Sequence, residues 1–203
     1  GLASIGKTVI KGILDSEDVF YTLKAVEELG AKININKRQK IITVYGVGLG
    51  NLISPKRPIY MGNSGTGTRL LIGLVAGSNA TVTFYGDKSL SNRPMDRIIN
   101  PLKKMGANFV FSEKKTLPIT VIGARKKGIT IPIKYKSPVS SAQIKSAIIF
   151  AGLTAKGTTQ IDEPNKSRDY TELMLKKCGV NINTKISKNF VNTIRVNGIS
   201  YLK

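Results

Sequence analysis

Stretches with apolar residues at helical spacing alternate along this chain with shorter apolar or alternating runs. Two of these stretches predict helices: Val19, Leu23, Val26 and Leu29, and then Met95, Ile98, Ile99, Leu102 and Met105. Runs that suit strands lie at 32–35, 41–45, 117–122 and 194–196. Because strands follow each helix, the pattern predicts a mixed α/β fold.

Glycine positions indicate that one pattern occurs three times. Each copy has a Gly-Leu pair, then a glycine at the predicted end of a helix, and a further glycine after a β-rich run. These glycines are Gly1, Gly30 and Gly46; Gly73, Gly106 and Gly123; and Gly152, Gly179 and Gly198. Repetition on this scale predicts a βαβαββ unit packed against copies of itself. We expect one domain over 1–203, with units at about 1–48, 60–124 and 133–199.

The first copy is shorter than the other two. In copies two and three, a Gly/Ser/Thr-rich loop and a helix precede the Gly-Leu pair, with the loops at 62–68 and 137–143. The corresponding loop of copy one would lie before Gly1. We therefore expect an incomplete first unit in a piece of a longer protein, with the units closing around a common centre by burying their helices together.

The amino-acid composition limits the kinds of catalytic and metal site that the chain can form. The chain has no histidine and one cysteine, Cys178, which excludes Ser-His triads and Cys/His zinc sites and predicts no metal. A single cysteine also agrees with a cytoplasmic location. No run approaches the roughly 18 apolar residues that a membrane span requires, so we expect no membrane partner.

The net charge is +20, from 32 Lys and Arg residues against 12 Asp and Glu. Such a balance suits a lysine-rich surface, anionic metabolites or nucleic acid. Only 6% of residues are aromatic, which leaves few platforms for stacking bases. Nucleic acid is therefore the less favoured partner, and a non-catalytic basic binding module remains an alternative.

Two predicted helix starts and two arginines suggest anion binding. Small and hydroxyl residues open helices at 62–68 and 140–143, where free backbone N–H groups and the helix dipole attract anions. Arg93 and Arg168 each precede a second helix, where a positive charge opposes the dipole unless it binds an anion. Asp87 and Glu163 are placed to orient these arginines. A capped core helix and ordinary surface arginines remain the alternatives.

Four segments stand out in the chain: GNSGTGTR at 62–69, RPM at 93–95, SAQIKSA at 141–147 and SRDYTE at 167–172. Together they resemble the 5-enolpyruvylshikimate-3-phosphate (EPSP) synthase family, and most closely its class II bacterial members. Their order and spacing match the family over almost the whole chain. Tyr170 stands where the family usually has histidine.

The resemblance implies an inside-out α/β barrel of three βαβαββ units, which is one domain of a two-domain transferase of the shikimate pathway. It implies a phosphoenolpyruvate site formed by Asn63, Gly65, Arg93 and Gln143. It also implies a shikimate 3-phosphate site formed by Ser141, Ala142, Gln143 and Arg168. The family needs no cofactor.

The resemblance also implies that this piece is inactive alone. The family's Lys-Ser-x-Ser-x-Arg segment and the acid–base groups of its second domain have no counterpart in the chain, so no catalytic residue is assigned. A sister enzyme of the same fold, UDP-N-acetylglucosamine enolpyruvyl transferase, fits less well. Its branch is not favoured by the run Ser167-Arg168-Asp169 or by Cys178, which falls in a predicted helix.

Overall fold

The computed structural model describes residues 1–199 and 201–202. Its strands are β1 (Ile5–Lys11), β2 (Lys32–Asn36), β3 (Ile41–Val47), β4 (Ile59–Tyr60), β5 (Thr81–Tyr85), β6 (Asn108–Phe111), β7 (Ile119–Ile122), β8 (Lys134–Lys136), β9 (Thr158–Glu163), β10 (Ile182–Ile186) and β11 (Asn192–Asn197). Its α-helices are α1 (Glu17–Glu28), α2 (Gly65–Ala76), α3 (Lys88–Ser91), α4 (Asp96–Lys104), α5 (Ala142–Gly152) and α6 (Tyr170–Lys177).

The strands form three separate sheets with one shared topology. The orders are β4-β5-β7-β6 and β8-β9-β11-β10, and in each the first pair is parallel and the others antiparallel. The remaining sheet, β1-β3-β2, has the same order without a parallel first strand. The predicted α/β class is confirmed, and in the described residues the first unit holds β1, α1, β2 and β3 only.

The sheets do not close into a barrel within the described part of the chain. No strand of one sheet pairs with a strand of another, because helices rather than strands join the three layers. Apolar residues from all three sheets and from α1, α2, α4, α5 and α6 form one continuous core. The barrel expectation is therefore corrected to three sheets packed around a shared helical core.

Helices α2 and α5 pack closely against each other. A Cβ atom on Gly73 would lie 2.6 Å from the Cα atom of Ala147 and would also overlap its carbonyl oxygen. Glycine at this position therefore lets the two backbones touch. No helix in the described residues is long and apolar enough to cross a membrane.

The helix-ending glycines behave as the pattern predicts. Gly30, Gly106 and Gly179 have φ values of +110°, +99° and +81°, the left-handed region that glycine adopts without strain. After each one, the next residue donates its N–H to a carbonyl five residues back, as in Ala31 to Val26 at 3.2 Å. Each of these helices ends in a Schellman motif, which turns the chain into the following strand.

Candidate anion-binding site

The start of α2 is open to a ligand. Gly62 has a φ of +54°, and the ring of Tyr21 lies where its side chain would be, so the turn requires glycine. Ser64 precedes the helix but does not cap it, and its hydroxyl lies 3.1 Å from the Thr22 hydroxyl instead. No described side chain therefore accepts from the first-turn amides of α2, where the helix dipole is positive.

Two arginines lie beside this helix start. Arg93 donates to the Asn63 side-chain oxygen at 2.5 Å, and its Nη1 lies 2.6 Å from the position of a Cβ on Gly65. Arg69 donates to the Gly65 carbonyl at 3.3 Å and to that of Pro94 at 3.4 Å. The predicted residues Asn63, Gly65 and Arg93 are thus in one cluster.

The positive charge of this cluster is uncompensated. Burial and the nearby guanidinium groups of Arg93 and Arg97 lower the pKa of Arg69. None of the ion pairs found in the described residues includes Arg69 or Arg93. An anion would relieve this crowding and accept hydrogen bonds from planar, fork-shaped donors.

The start of α5 lies next to the start of α2. Ser141 caps α5 by accepting from the Ile144 N–H at 3.5 Å, and Ala142 is the first residue of the helix. The Gln143 side-chain amide donates to the Thr66 hydroxyl at 2.9 Å. The structure therefore brings both predicted helix starts to one surface and joins them through Gln143.

Arg168 lies in the loop 164–169, which reaches the same surface. The Asn165 N–H donates to the Ser140 hydroxyl at 2.9 Å, and this bond ties the loop to the start of α5. The Arg168 side chain is exposed and makes no hydrogen bond or ion pair with any described residue. Its place beside the other predicted site residues therefore depends on the backbone of this loop.

The two carboxylates expected to orient the arginines bond to other residues. Asp87 caps the short helix α3 by accepting from the Leu90 N–H at 2.7 Å. Glu163 accepts from the Ser167 N–H at 3.1 Å and from its hydroxyl at 2.7 Å. Within the described residues, neither carboxylate forms a hydrogen bond or ion pair with its arginine.

A buried ionic cluster, which the sequence reasoning missed, lies behind the loop. Lys145 of α5 lies 3.1 Å from Glu163 and 2.7 Å from Glu172 of α6, and all three residues are at most 2% exposed. The signal in the sequence was a lysine inside the apolar run 144–149, since a buried lysine needs a charged partner. Arg69 and Thr66 are further site residues that the sequence reasoning did not assign.

Glu163 makes folding sensitive to acid. Burial alone would raise its pKa, but hydrogen bonds from Ser167, Asn192 and Lys145 outweigh burial and hold the pKa below its usual value. A lowered carboxyl pKa stabilises the fold above the unfolded pKa, and this contribution is lost as the pH falls through the folded value.

We expect the free energy of unfolding to fall less steeply between about pH 5 and pH 2 in Glu163→Gln than in the unsubstituted chain. Urea titrations at each pH measure this slope, with the exposed Glu113→Gln as control. Identical slopes in Glu163→Gln and the unsubstituted chain would contradict the assignment.

Two cavities lie away from this surface. One of about 670 Å³ is near the ends of α2 and α5 and includes Arg125 and Thr154, and one of about 720 Å³ lies beside α1 and includes Leu14 and Phe20. Neither includes any of the predicted site residues.

Comparison with known proteins gives one family. The model of the family "EPSP synthase (3-phosphoshikimate 1-carboxyvinyltransferase)" matches residues 2–202. Proteins named 3-phosphoshikimate 1-carboxyvinyltransferase from Novosphingobium aromaticivorans and Parvibaculum lavamentivorans are 43% and 44% identical over 203 residues, which are 45% and 44% of their lengths. An EPSP synthase structure from Acinetobacter baumannii aligns with a TM-score of 0.89 at 39% identity, covering all of this chain and 44% of that one.

The chain thus spans less than half the length of these relatives. The family match nevertheless covers almost every residue, and the fold and the motif positions agree with it. This chain belongs to the EPSP synthase family.

Proposed function

We propose that this chain forms one half of an EPSP synthase active site, which binds shikimate 3-phosphate and phosphoenolpyruvate. The observation that carries the proposal is the meeting of two helix starts, joined by the hydrogen bond from Gln143 to Thr66, with Arg69 and Arg93 beside the uncapped start of α2. Both substrates are multiply anionic, and such a surface attracts them through backbone amides, the helix dipole and guanidinium groups.

Phosphoenolpyruvate is assigned to the start of α2. The first turn of α2 faces the ligand, and glycine at position 65, which has no side chain, lets the anion approach closely. Arg93, held by Asn63, binds the anionic groups, and Gln143 reaches the same substrate from α5. The lack of a side-chain cap on α2 among the described residues and the two arginines beside this helix start support this assignment.

Shikimate 3-phosphate is assigned to the start of α5. Ser141, Ala142 and Gln143 offer a hydroxyl, a backbone N–H and an amide, and Arg168 binds the phosphate. The loop contact between Asn165 and Ser140 supports placing Arg168 beside these groups. The two substrates then meet at Gln143.

The proposed reaction joins the 5-hydroxyl oxygen of shikimate 3-phosphate to C2 of phosphoenolpyruvate, while the hydroxyl proton leaves and C3 gains a proton. The C2–phosphate bond then breaks, C3 loses a proton, and enolpyruvylshikimate 3-phosphate and phosphate are released. This chain contributes positioning and charge stabilisation without a cofactor. The proton-transferring groups belong to a partner domain of the same enzyme, so we expect no turnover by this chain alone.

The proposal is tested by titrating the 203-residue chain with shikimate 3-phosphate and, in parallel, with shikimate, while amide chemical shifts are recorded. We expect saturable changes at Gly65, Ser141, Gln143 and Arg168 with shikimate 3-phosphate and weaker binding of shikimate. An absence of response at all four positions with millimolar shikimate 3-phosphate would overturn the proposal.

A further inference from the structure

We propose that Glu163 is a positioning residue for Arg168. In this role it fixes the loop 164–169 against α5 and thereby sets the affinity of the site for the phosphate of its acceptor substrate. The inference rests on the proposed function, in which Arg168 binds that phosphate. It adds a buried residue that does not itself touch the substrate.

Four donors converge on the Glu163 carboxylate. Lys145 and the Ser167 N–H each lie 3.1 Å from Oε1, the Asn192 amide lies 2.7 Å from the same oxygen, and the Ser167 hydroxyl lies 2.7 Å from Oε2. Ser167 is therefore held through both its backbone and its side chain. Since Ser167 immediately precedes Arg168, this anchor sets the point at which the arginine leaves the backbone.

The same anchor connects the loop to the helix that carries the other acceptor-binding residues. Lys145 lies on α5, two positions after Gln143, and its ammonium group joins Glu163 to that helix. Two neutral contacts run beside this link, from Asn165 to Ser140 at 2.9 Å and from Ser146 to Thr171 at 2.7 Å. Relative movement of Arg168 and Gln143 requires these links to break.

Arg168 has no hydrogen bond or ion pair of its own within the described residues, so no side-chain contact holds the guanidinium in place. Its position depends on the backbone at 167–168. Charge-assisted hydrogen bonds are about twice as strong as neutral ones, so we assign most of this restraint to the carboxylate of Glu163.

Glu172 supplies a matched comparison. It lies 2.7 Å from Lys145, but Oε2 has no partner and no described group donates a conventional hydrogen bond to either oxygen. Removing Glu163 or Glu172 deletes the same buried charge and leaves Lys145 paired with one carboxylate. The two changes differ in whether Ser167 and the Asn192 amide lose their acceptor.

The experiment compares Glu163→Ala with Glu172→Ala in the 203-residue chain, measuring the dissociation constants of shikimate 3-phosphate and shikimate. We expect Glu163→Ala to weaken binding of shikimate 3-phosphate about tenfold, since a displacement of about 1 Å is enough for such a loss. Binding of shikimate should stay unchanged in both variants, and Glu172→Ala should change either affinity less than about twofold. Equal effects of the two substitutions, or an equal loss for both ligands, would overturn the proposal.

Hydrogen exchange gives a readout that needs no ligand. The amides of Ser167 and Arg168 should exchange at least about tenfold faster in Glu163→Ala than in Glu172→Ala, because local opening loses its main restraint. Unchanged exchange would show that Glu163 does not hold the loop. If the unsubstituted chain fails to bind shikimate 3-phosphate, the proposed function fails, and exchange still decides whether the anchor exists.

If the alanine variants unfold, Glu163→Gln and Glu172→Gln provide the same comparison. Glutamine keeps the shape of the side chain but accepts hydrogen bonds without a charge, so a loss of about threefold for shikimate 3-phosphate is expected in Glu163→Gln alone. A loss of the same size in Glu172→Gln would show that buried charge, rather than the anchor, determines the affinity.

Discussion

Arg93→Ala is expected to weaken binding of phosphoenolpyruvate by about 100-fold, because hydrogen bonds to a charged partner contribute about 1.5–3 kcal/mol. The guanidinium of Arg93 is oriented by Asn63 and lies directly over Gly65 at the open start of α2. Titration of the 203-residue chain with phosphoenolpyruvate, in the presence of shikimate 3-phosphate, measures the change through the amide shift of Gly65.

Arg97→Ala is the matched control for this prediction. Arg97 is exposed on the first turn of α4 and contributes to the same positive field around Arg69, but it has no place in the proposed site. Loss of one exposed charge is screened by salt, so a change below about threefold is expected. Equal losses of affinity in the two variants would mean that net charge attracts the ligand, and not the hydrogen bonds of the Arg93 guanidinium group.

The parts of the fold that could be predicted from sequence are those with local causes. Helical spacing predicted α1 and α4, and the glycines that need positive φ marked the ends of α1, α4 and α6. The Gly-Leu pair was a less accurate marker. The equivalent turn in each unit is marked instead by a hydroxyl that donates to the carbonyl three residues earlier: Ser4 to Gly1, Ser78 to Val75 and Thr154 to Ala151. The Gly-Leu pair lies at a different distance from this turn in each unit.

The site could be predicted only as separate segments. Motif positions put Asn63, Gly65 and Arg93 in candidate loops, but the contact between Gln143 and Thr66 depends on the packing of Gly73 against Ala147. Such a contact joins residues far apart in sequence, and no local pattern specifies it. Likewise, the partners of Lys145 come from β9 and α6, so its role follows from tertiary packing.

Gly123→Ala is expected to destabilise the chain by about 3 kcal/mol, because an added Cβ would overlap the carbonyl oxygens of Val75 and Ser78 and force the backbone to move. Gly123 has φ −63° and ψ 146°, a conformation that alanine adopts freely, so steric overlap alone causes the loss. For a chain of this size, the melting temperature should fall by roughly 6–12 °C. Thermal unfolding followed by circular dichroism measures it.

The three-fold repeat makes this prediction general. Gly46 and Gly198 are the corresponding glycines of the other two units, and a Cβ on either would overlap carbonyl oxygens at Gly1 and Ser4 or at Ala155. We therefore expect Gly46→Ala and Gly198→Ala to be similarly destabilising. Gly128 has nothing within 4 Å of its Cβ position, so Gly128→Ala should change stability by less than about 0.5 kcal/mol. If Gly123→Ala melted at the same temperature as Gly128→Ala, close backbone approach would not be the reason that glycine recurs in each unit.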